Sequence, residues 1–170
     1  MSLPELIDLD VYGGATLRGG GDYAPPATPH TRAPRLHFVG CHLERGPAAY
    51  TRVTVHFAGP FFPDGRLICR QEGTTCEGGD LRLAALATFE ALANASDGAL
   101  RFELIGVKSV RAFDTAVMMV AVHWRTGDET QRLVGVAIAD GDAMAATVRA
   151  TLHAVNRVAE PLLGPLGGPG

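Results

Sequence analysis

Lysine is almost absent from this chain: Lys108 is the single lysine, and arginine supplies the rest of the 15 basic side chains against 18 acidic ones. The formal net charge of −3 therefore provides no basic field for nucleic acid and no strongly acidic tail. Charged residues make up only 19% of the sequence and aromatic residues 6%. Scarce lysine with abundant alanine, glycine and arginine is typical of a GC-rich bacterial genome, which carries no information about chemistry.

Long hydrophobic runs are also missing. The longest, residues 116–122, has the length of a strand and falls far short of the ~18 residues that span a membrane. The first ten residues are acidic and lack the positively charged region, followed by an apolar region, that begins a secretory signal. The three cysteines are an odd number without CxxC spacing, which favours reduced thiols. We therefore expect a cytoplasmic protein that partners neither membrane nor nucleic acid.

Glycine and proline are concentrated at the two ends of the chain. Residues 12–34 and the tail from residue 161 are rich in both, so they bury too little apolar surface to fold. We expect a largely flexible arm over 1–34, one folded domain over 35–160 and a flexible tail over 161–170. The segment LIDLDVY within the arm alternates well enough to form an edge strand or to dock on a protein partner.

The folded part contains an internal duplication. Four segments recur in the same order, 63 to 67 positions apart, and chance does not readily produce four ordered matches. The matched segments are LHFVG from Leu36 with FELIG from Phe102, RVTVHFAG from Arg52 with MVAVHWRTG from Met119, GRLICRQ from Gly65 with QRLVGVA from Gln131, and ATFEALANA from Ala87 with ATLHAVNRV from Ala150. The second match pairs His56 with His123, and the third pairs Arg66 with Arg132.

Each copy has three segments of period-2 alternation and then one of helical periodicity. Strands are predicted at Leu36–Leu43, Tyr50–Ala58, Leu67–Arg70, Phe102–Phe113, Ala116–Arg125 and Arg132–Ile138. Helices follow Asp80 and Asp142, each of which stands where an N-cap accepts backbone N–H groups. The pattern predicts an α+β fold made by tandem duplication of a βββα unit (35–98 and 99–160), with two antiparallel three-stranded sheets, each covered by a helix, related by a pseudo-twofold axis.

One predicted strand is apolar on both faces. Along Ala116–Trp124, both alternating sets of side chains are hydrophobic, which is typical of a strand buried on both sides. The chain's own helix would cover one side, and the second unit or another chain would cover the other. We therefore expect a homodimer.

The duplicated pattern resembles the C-terminal regulatory domain of 2-isopropylmalate synthase and its homocitrate and citramalate synthase relatives. The closest stretch is Gly135–Arg157, where a glycine-containing strand end leads through Asp140 to a small-residue helix start and an Ala-x-Asn-Arg-like helix end. The resemblance implies a non-catalytic regulatory module that binds an amino acid or small carboxylate in the groove between its units. The catalytic barrel of that family is absent from these 170 residues.

The resemblance also implies a set of ligand-binding residues near the two predicted helix starts. They are Gly73, Gly78, Gly79 and Asp80 in the first copy, and Gly135, Ala137, Asp140 and Ala145 in the second. Ala137 stands where the family has a glycine, and glycine is the residue that lets a ligand approach the backbone closely.

Other candidates for chemistry are weaker. His56 and His123 would form a symmetric pair able to bind a metal or to titrate, but a metal needs three or four ligands, and inheritance by duplication is the simpler interpretation. Cys69 and Cys76 stand among side chains of mixed charge, which does not favour a nucleophile. No motif for nucleophilic catalysis or phosphate binding is present. We predict no catalytic residue, no metal site and no cofactor.

Three hypotheses remain open on the sequence alone. The first is the ligand-binding regulatory module. The second is a dimerising scaffold or protein-interaction module without a small ligand, which reaches a partner through its N-terminal arm. The third is an enzyme of unrecognised type that uses His56 and His123 or Cys76.

Overall fold

The computed structural model describes residues 35–163, so the predicted arm over residues 1–34 lies outside the described residues. Over this range the chain forms two successive βββα units. Their elements are β1 (His37–Arg45), β2 (Tyr50–Ala58), β3 (Arg66–Thr74), α1 (Gly79–Ala95), β4 (Phe102–Ala112), β5 (Thr115–Thr126), β6 (Glu129–Ile138) and α2 (Ala143–Ala159). The predicted α+β class and the repeated βββα order are confirmed.

Each unit builds its own antiparallel sheet, β1-β2-β3 in the first and β4-β5-β6 in the second. Each helix packs on the sheet of its own unit, and the two helices also pack on each other. In addition, α1 contacts β4 of the second unit, and α2 contacts β1 of the first. Buried side chains of both units belong to one hydrophobic cluster, so the units share a core.

The two sheets share a β-bulge at the same place. In β1 the pairing register shifts between Phe38 and Gly40, and in β4 it shifts between Leu104 and Gly106. The two glycines are matched in the sequence repeat. Because a bulge adds one residue to one strand and turns the side chains that follow it, the shared bulge is structural support for the duplication.

The bulge also anchors the true correspondence between the units. Gly40 lies opposite His56, and Gly106 lies opposite Ala121. The structural counterpart of His56 is therefore Ala121, and the predicted equivalence of His56 and His123 is wrong. The sequence match was displaced by two residues, and a displacement of two keeps every apolar side chain on the same face of the strand.

The third strands of the two sheets differ in how closely a helix approaches them. Cys69 in β3 and Gly135 in β6 occupy equivalent positions, opposite Val55 and Val120 respectively. A Cβ atom added at Gly135 would collide with the backbone of α2 at Ala150 and Ala154. Gly135, which the resemblance implies as a ligand-binding residue, therefore faces the backbone of α2.

The two helices repeat one internal detail. The Thr88 hydroxyl donates to the carbonyl of Ala84, and the Thr151 hydroxyl donates to the carbonyl of Thr147, both at 2.8 Å. Both threonines are buried and were matched in the sequence repeat. A buried hydroxyl needs such a partner, and the helix supplies it one turn back.

The folded domain extends beyond its predicted end. Leu163 is only 6% exposed and belongs to the core, and its backbone N–H donates to the carbonyl of Ala159. The predicted boundary at residue 160 is therefore too early, because the apolar Leu163 side chain packs in the core. The rest of the predicted tail, residues 164–170, lies outside the described residues. Within residues 35–163, neither helix combines the length and apolar character needed to cross a bilayer.

We expect Gly135→Ala to destabilise the protein, since its methyl group would displace the α2 backbone from β6. Overpacking against backbone should cost about 3 kcal/mol, which lowers the melting temperature of a domain of this size by about 6–12 °C. Gly106→Ala is the control, because a Cβ there meets no atom within 4 Å. Thermal unfolding followed by circular dichroism would contradict the packing if the two variants melted alike.

Candidate functional site

The ligand-binding residues predicted for the first copy lie around the start of α1. Gly73, near the end of β3, packs against the helix: a Cβ there would lie 3.4 Å from Leu83 Cδ2. Gly78 is the N-cap residue, with a φ of +68° that glycine adopts without strain. Gly79 is buried beside Cys76, 2.7 Å from its Sγ if a Cβ is added. These glycines serve the turn and the packing of α1 on the sheet.

Asp80 is not the N-cap of α1, contrary to the sequence prediction. It is the second helical residue, and its Oδ1 accepts the N–H of the adjacent Leu81 at 2.9 Å. Its Oδ2 lies 3.8 Å from a guanidinium nitrogen of Arg45. Because the chain reaches α1 through the left-handed turn at Gly78, the capping place falls two residues earlier than the aspartate.

Asp142 does cap α2, as predicted. Its backbone is extended, and its Oδ1 accepts the N–H of Ala145 at 2.9 Å. Ala145 itself is buried in the helix, and Ala137 lies half-buried on the face of β6 that α2 covers. Among the residues predicted for the second copy, Asp140 is exposed.

The start of α2 lies beside the first unit, where it affects Cys41 of β1. Burial, and then the negative charge of Asp142, raise the pKa of the Cys41 thiol to about 11, against the opposing charge of Arg149. Burial and then Glu90 raise the pKa of Cys69 to about 12. Both thiols are therefore poor nucleophiles at neutral pH, because the thiolate is the reactive form.

Each sheet has a hollow at its bulge, on the face turned away from its helix, which we call the outer face. The first hollow is lined by Val39, His56, Ala58, Arg66 and Ile68, and has a volume of about 440 Å³. The second hollow is lined by Ile105, Lys108, Met119, Ala121 and Val134, and has a volume of about 280 Å³. Three lining positions match through the duplication, and beyond them the hollows extend in opposite directions along their sheets. The matched pairs are Val39 with Ile105, His56 with Ala121, and Ile68 with Val134. Gly40 and Gly106 face open space, so the missing side chain at each bulge helps to keep its hollow open.

The two outer faces differ in chemistry. On the first sheet, three histidines (His37, His42 and His56) share the face with arginines, threonine and glutamates. Toward one end, Arg52 binds Glu72 at 2.7 Å and Glu44 at 3.3 Å. Hydrogen bonds from Tyr50 and then from Arg52 lower the pKa of Glu72.

The outer face of the second sheet is mainly apolar. Five of the ten exposed large hydrophobic side chains of the described residues stand on it: Ile105, Met119, Val134, Val136 and Ile138. Val110, Val117 and Ala121 complete three successive rows, with Lys108 at one side. Glu103, His123 and Arg132 form the polar row that follows. We call this surface the apolar face.

The histidines do not converge on a metal site within residues 35–163, where no group of three potential metal ligands is found. His56 faces the first hollow, whereas His123 stands between Glu103 and Arg132 on the other sheet. Sequence reasoning missed the hollows themselves. The signal that could have found them is the matched glycine in LHFVG and FELIG, each within an otherwise regular strand.

We expect Asp142→Ala to cost about 1 kcal/mol of stability, because it removes the side chain that accepts the Ala145 N–H. Asp80→Ala is the matched control and should cost about 0.5 kcal/mol, since Asp80 contributes a first-turn charge, a bond from the N–H of the adjacent Leu81 and a long contact to Arg45, but no N-cap. Urea unfolding of both variants measures the difference. Equal losses would contradict the assignment of the two aspartates.

We expect one cysteine to react rapidly with a thiol reagent in the native protein at pH 8. Cys76 is exposed, whereas the raised pKa of Cys41 leaves about one molecule in 1,000 as thiolate and that of Cys69 about one in 10,000. A colorimetric disulfide reagent should find one fast equivalent, and three after denaturation. Cys76→Ser should abolish the fast phase, and a second fast equivalent would be inconsistent with these pKa shifts.

Comparison with known proteins gives no indication of the function of this chain. No protein-family model matches the chain, and no curated protein matches it significantly. The resemblance to the regulatory domain of 2-isopropylmalate synthase therefore rests on the short motifs described above. The apolar face and the two hollows are the features from which a function can be argued.

Proposed function

We propose that this protein is a non-catalytic, homodimeric regulatory module of the cytoplasm that binds a small carboxylate or amino-acid-like molecule, as the feedback domain of 2-isopropylmalate synthase does. Its two βββα units are related by a pseudo-twofold axis. The reciprocal contacts of α1 with β4 and of α2 with β1 support that symmetry, as does the shared bulge. The raised pKa values of Cys41 and Cys69 argue only against these two thiols as nucleophiles.

The observation that carries the proposal is the apolar face. Three rows of side chains across three strands cover about 300 Å² in projection, given ~4.8 Å between strands and ~6.8 Å between residues on one face. The accessible area is larger because the side chains stand up from the sheet. The largest contiguous apolar patch on a monomeric protein is usually about 300–600 Å² and is often functional, and larger patches mark interaction sites.

Within residues 35–163, the chain does not cover the apolar face itself. Helix α2 packs on the opposite side of the second sheet, where Met118, Val120 and Val122 are fully buried. Met119, between them in sequence, points the other way and is exposed. The expectation that β5 is buried on both sides thus holds for one side within a single chain. Its other side is not covered by the first βββα unit.

A second copy of the chain fits the apolar face. Sheets pack face to face through such surfaces, and a two-fold axis lets one patch meet its own copy. An axis in the plane of the sheet and perpendicular to the strands brings Lys108 of one copy toward Glu103 of the other, since both side chains lie on the outer face of β4. The whole outer face spans about 500 Å² in projection, of the order of the ~800 Å² per partner in standard interfaces.

A dimerising scaffold without a small ligand would use the same interface. The first hollow favours the ligand-binding module over this scaffold. It combines an open cleft, the Arg66 guanidinium and apolar side chains on a face that the proposed dimer leaves free. The groove between the units, expected from the resemblance, gains less support. Gly135 and Ala145 are buried under or within α2 there.

We expect Ile105→Glu to weaken the dimer by at least about a hundredfold, because each copy would bring an unpaired carboxylate into an apolar interface. Val39→Glu is the matched control: it occupies the equivalent bulge position on the first sheet and is also exposed. Sedimentation equilibrium of the full chain over a wide concentration range measures both association constants.

A monomer at high concentration, or equal weakening by both variants, would overturn the proposed interface. A monomeric wild type that Ile105→Glu still destabilises would show that another segment of the same chain covers the apolar face. Circular dichroism should show native secondary structure in both variants, since neither side chain belongs to the core.

A further inference from the structure

We infer that the first hollow is the ligand site of this module and that its ligand is an aliphatic monocarboxylate rather than an amino acid. The inference rests on the proposed regulatory function and replaces the groove between the units with a site on the outer face of the first sheet. At about 440 Å³ the hollow falls within the range of small-molecule sites.

The side chains of the first hollow divide into two groups. Val39, Ala58 and Ile68 present methyl and methylene groups, and they suit a short aliphatic tail. Arg66 supplies a guanidinium and His56 an imidazole on the same surface. A guanidinium matches a carboxylate with two parallel hydrogen bonds, and an imidazole offers a further N–H donor.

Arg66 is available for such a ligand. No carboxylate of residues 35–163 lies within 4.0 Å of its guanidinium, whereas Arg52 on the same face binds both Glu44 and Glu72. The sheet thus keeps one arginine neutralised within the protein and leaves another facing a hollow. A carboxylate bound there would form the charge-assisted pair that Arg52 already has.

The same lining argues against an amino acid. An α-ammonium group needs a carboxylate or several carbonyl acceptors when it leaves water, and no acidic side chain lines the first hollow. The ammonium would instead be held near the Arg66 guanidinium, which disfavours it electrostatically. Inorganic phosphate would satisfy the arginine but would leave the apolar walls without a partner.

The second hollow differs from the first in its polar groups. Ala121 stands in the place of His56, Arg132 (the equivalent of Arg66) does not line this hollow, and Lys108 is its single charged side chain. It also lies within the apolar face, where the proposed dimer would cover it. The duplication therefore produced two hollows beside matched bulges, of which, under this inference, one serves association and the other carries the groups that recognise an anion.

The test is titration of the isotope-labelled full chain with 4-methylpentanoate, followed by amide chemical shifts. We expect saturable shifts at Ala58 and Ile68, with a Kd of the order of 0.1–1 mM for so small a ligand. Leucine, which has the same skeleton with an added ammonium, should bind at least about tenfold more weakly, and phosphate likewise. Arg66→Gln should weaken 4-methylpentanoate about tenfold or more, whereas Arg132→Gln, its repeat equivalent on the other sheet, should not.

Three results would overturn the inference. The first is the absence of saturable shifts around the first hollow, whether no shifts are seen or they appear only at the helix starts near Asp80 and Asp142. The second is equal binding of leucine and 4-methylpentanoate, and the third is an equal effect of the two arginine variants on binding. Sedimentation of the same samples reports dimerisation separately, so a dimer that binds no monocarboxylate defeats this inference while sparing the interface, and a monomer that binds one does the reverse.

Discussion

A single helix can cover only one face of a three-stranded sheet, and the rest of this structure follows from that limit. Side chains alternate along each strand, so half of them point toward the helix and the other half point away. The helix-facing half forms a core shared by both units. The half that points away has no cover within its own unit and must be polar or find another partner. The two copies have met this requirement differently, with a polar face on the first sheet and an apolar face on the second.

The bulge places a hollow on both outer faces, although the side chains around the two hollows differ. At Gly40 and Gly106 the extra residue turns the strand, and the missing side chain leaves space above the sheet. Because a hollow is present at the bulge of both sheets, substitutions on neighbouring strands can change its chemistry and its volume while leaving it in place. The contrast between His56 and Ala121 is one such change. In our proposal it separates an anion-recognising surface from an associating one.

Glycine in this protein has more than one physical purpose, and its identity alone does not reveal which. Gly135 lets the α2 backbone lie directly on β6, whereas its counterpart Cys69 keeps a buried side chain beneath α1. Gly78 supplies a left-handed turn before α1. A motif that matches a ligand-binding pattern is therefore satisfied here by helix packing and turn geometry. This explains why most of the residues implied by the family resemblance are buried or half-buried around the helices, while the hollows lie on the opposite faces of the sheets.

The sequence by itself determined the element order, the α+β class, the duplication and the cap at Asp142, because periodicity and capping act between residues a few positions apart. It also placed both alternating faces of β5 as apolar. Only the tertiary structure decided the pairing register, because a shift of two residues leaves the alternation unchanged and so made His56 and His123 look equivalent. The tertiary structure alone also revealed the close packing at Gly135 and the two hollows. These depend on how closely distant backbones approach one another, and no local pattern of side chains encodes that distance.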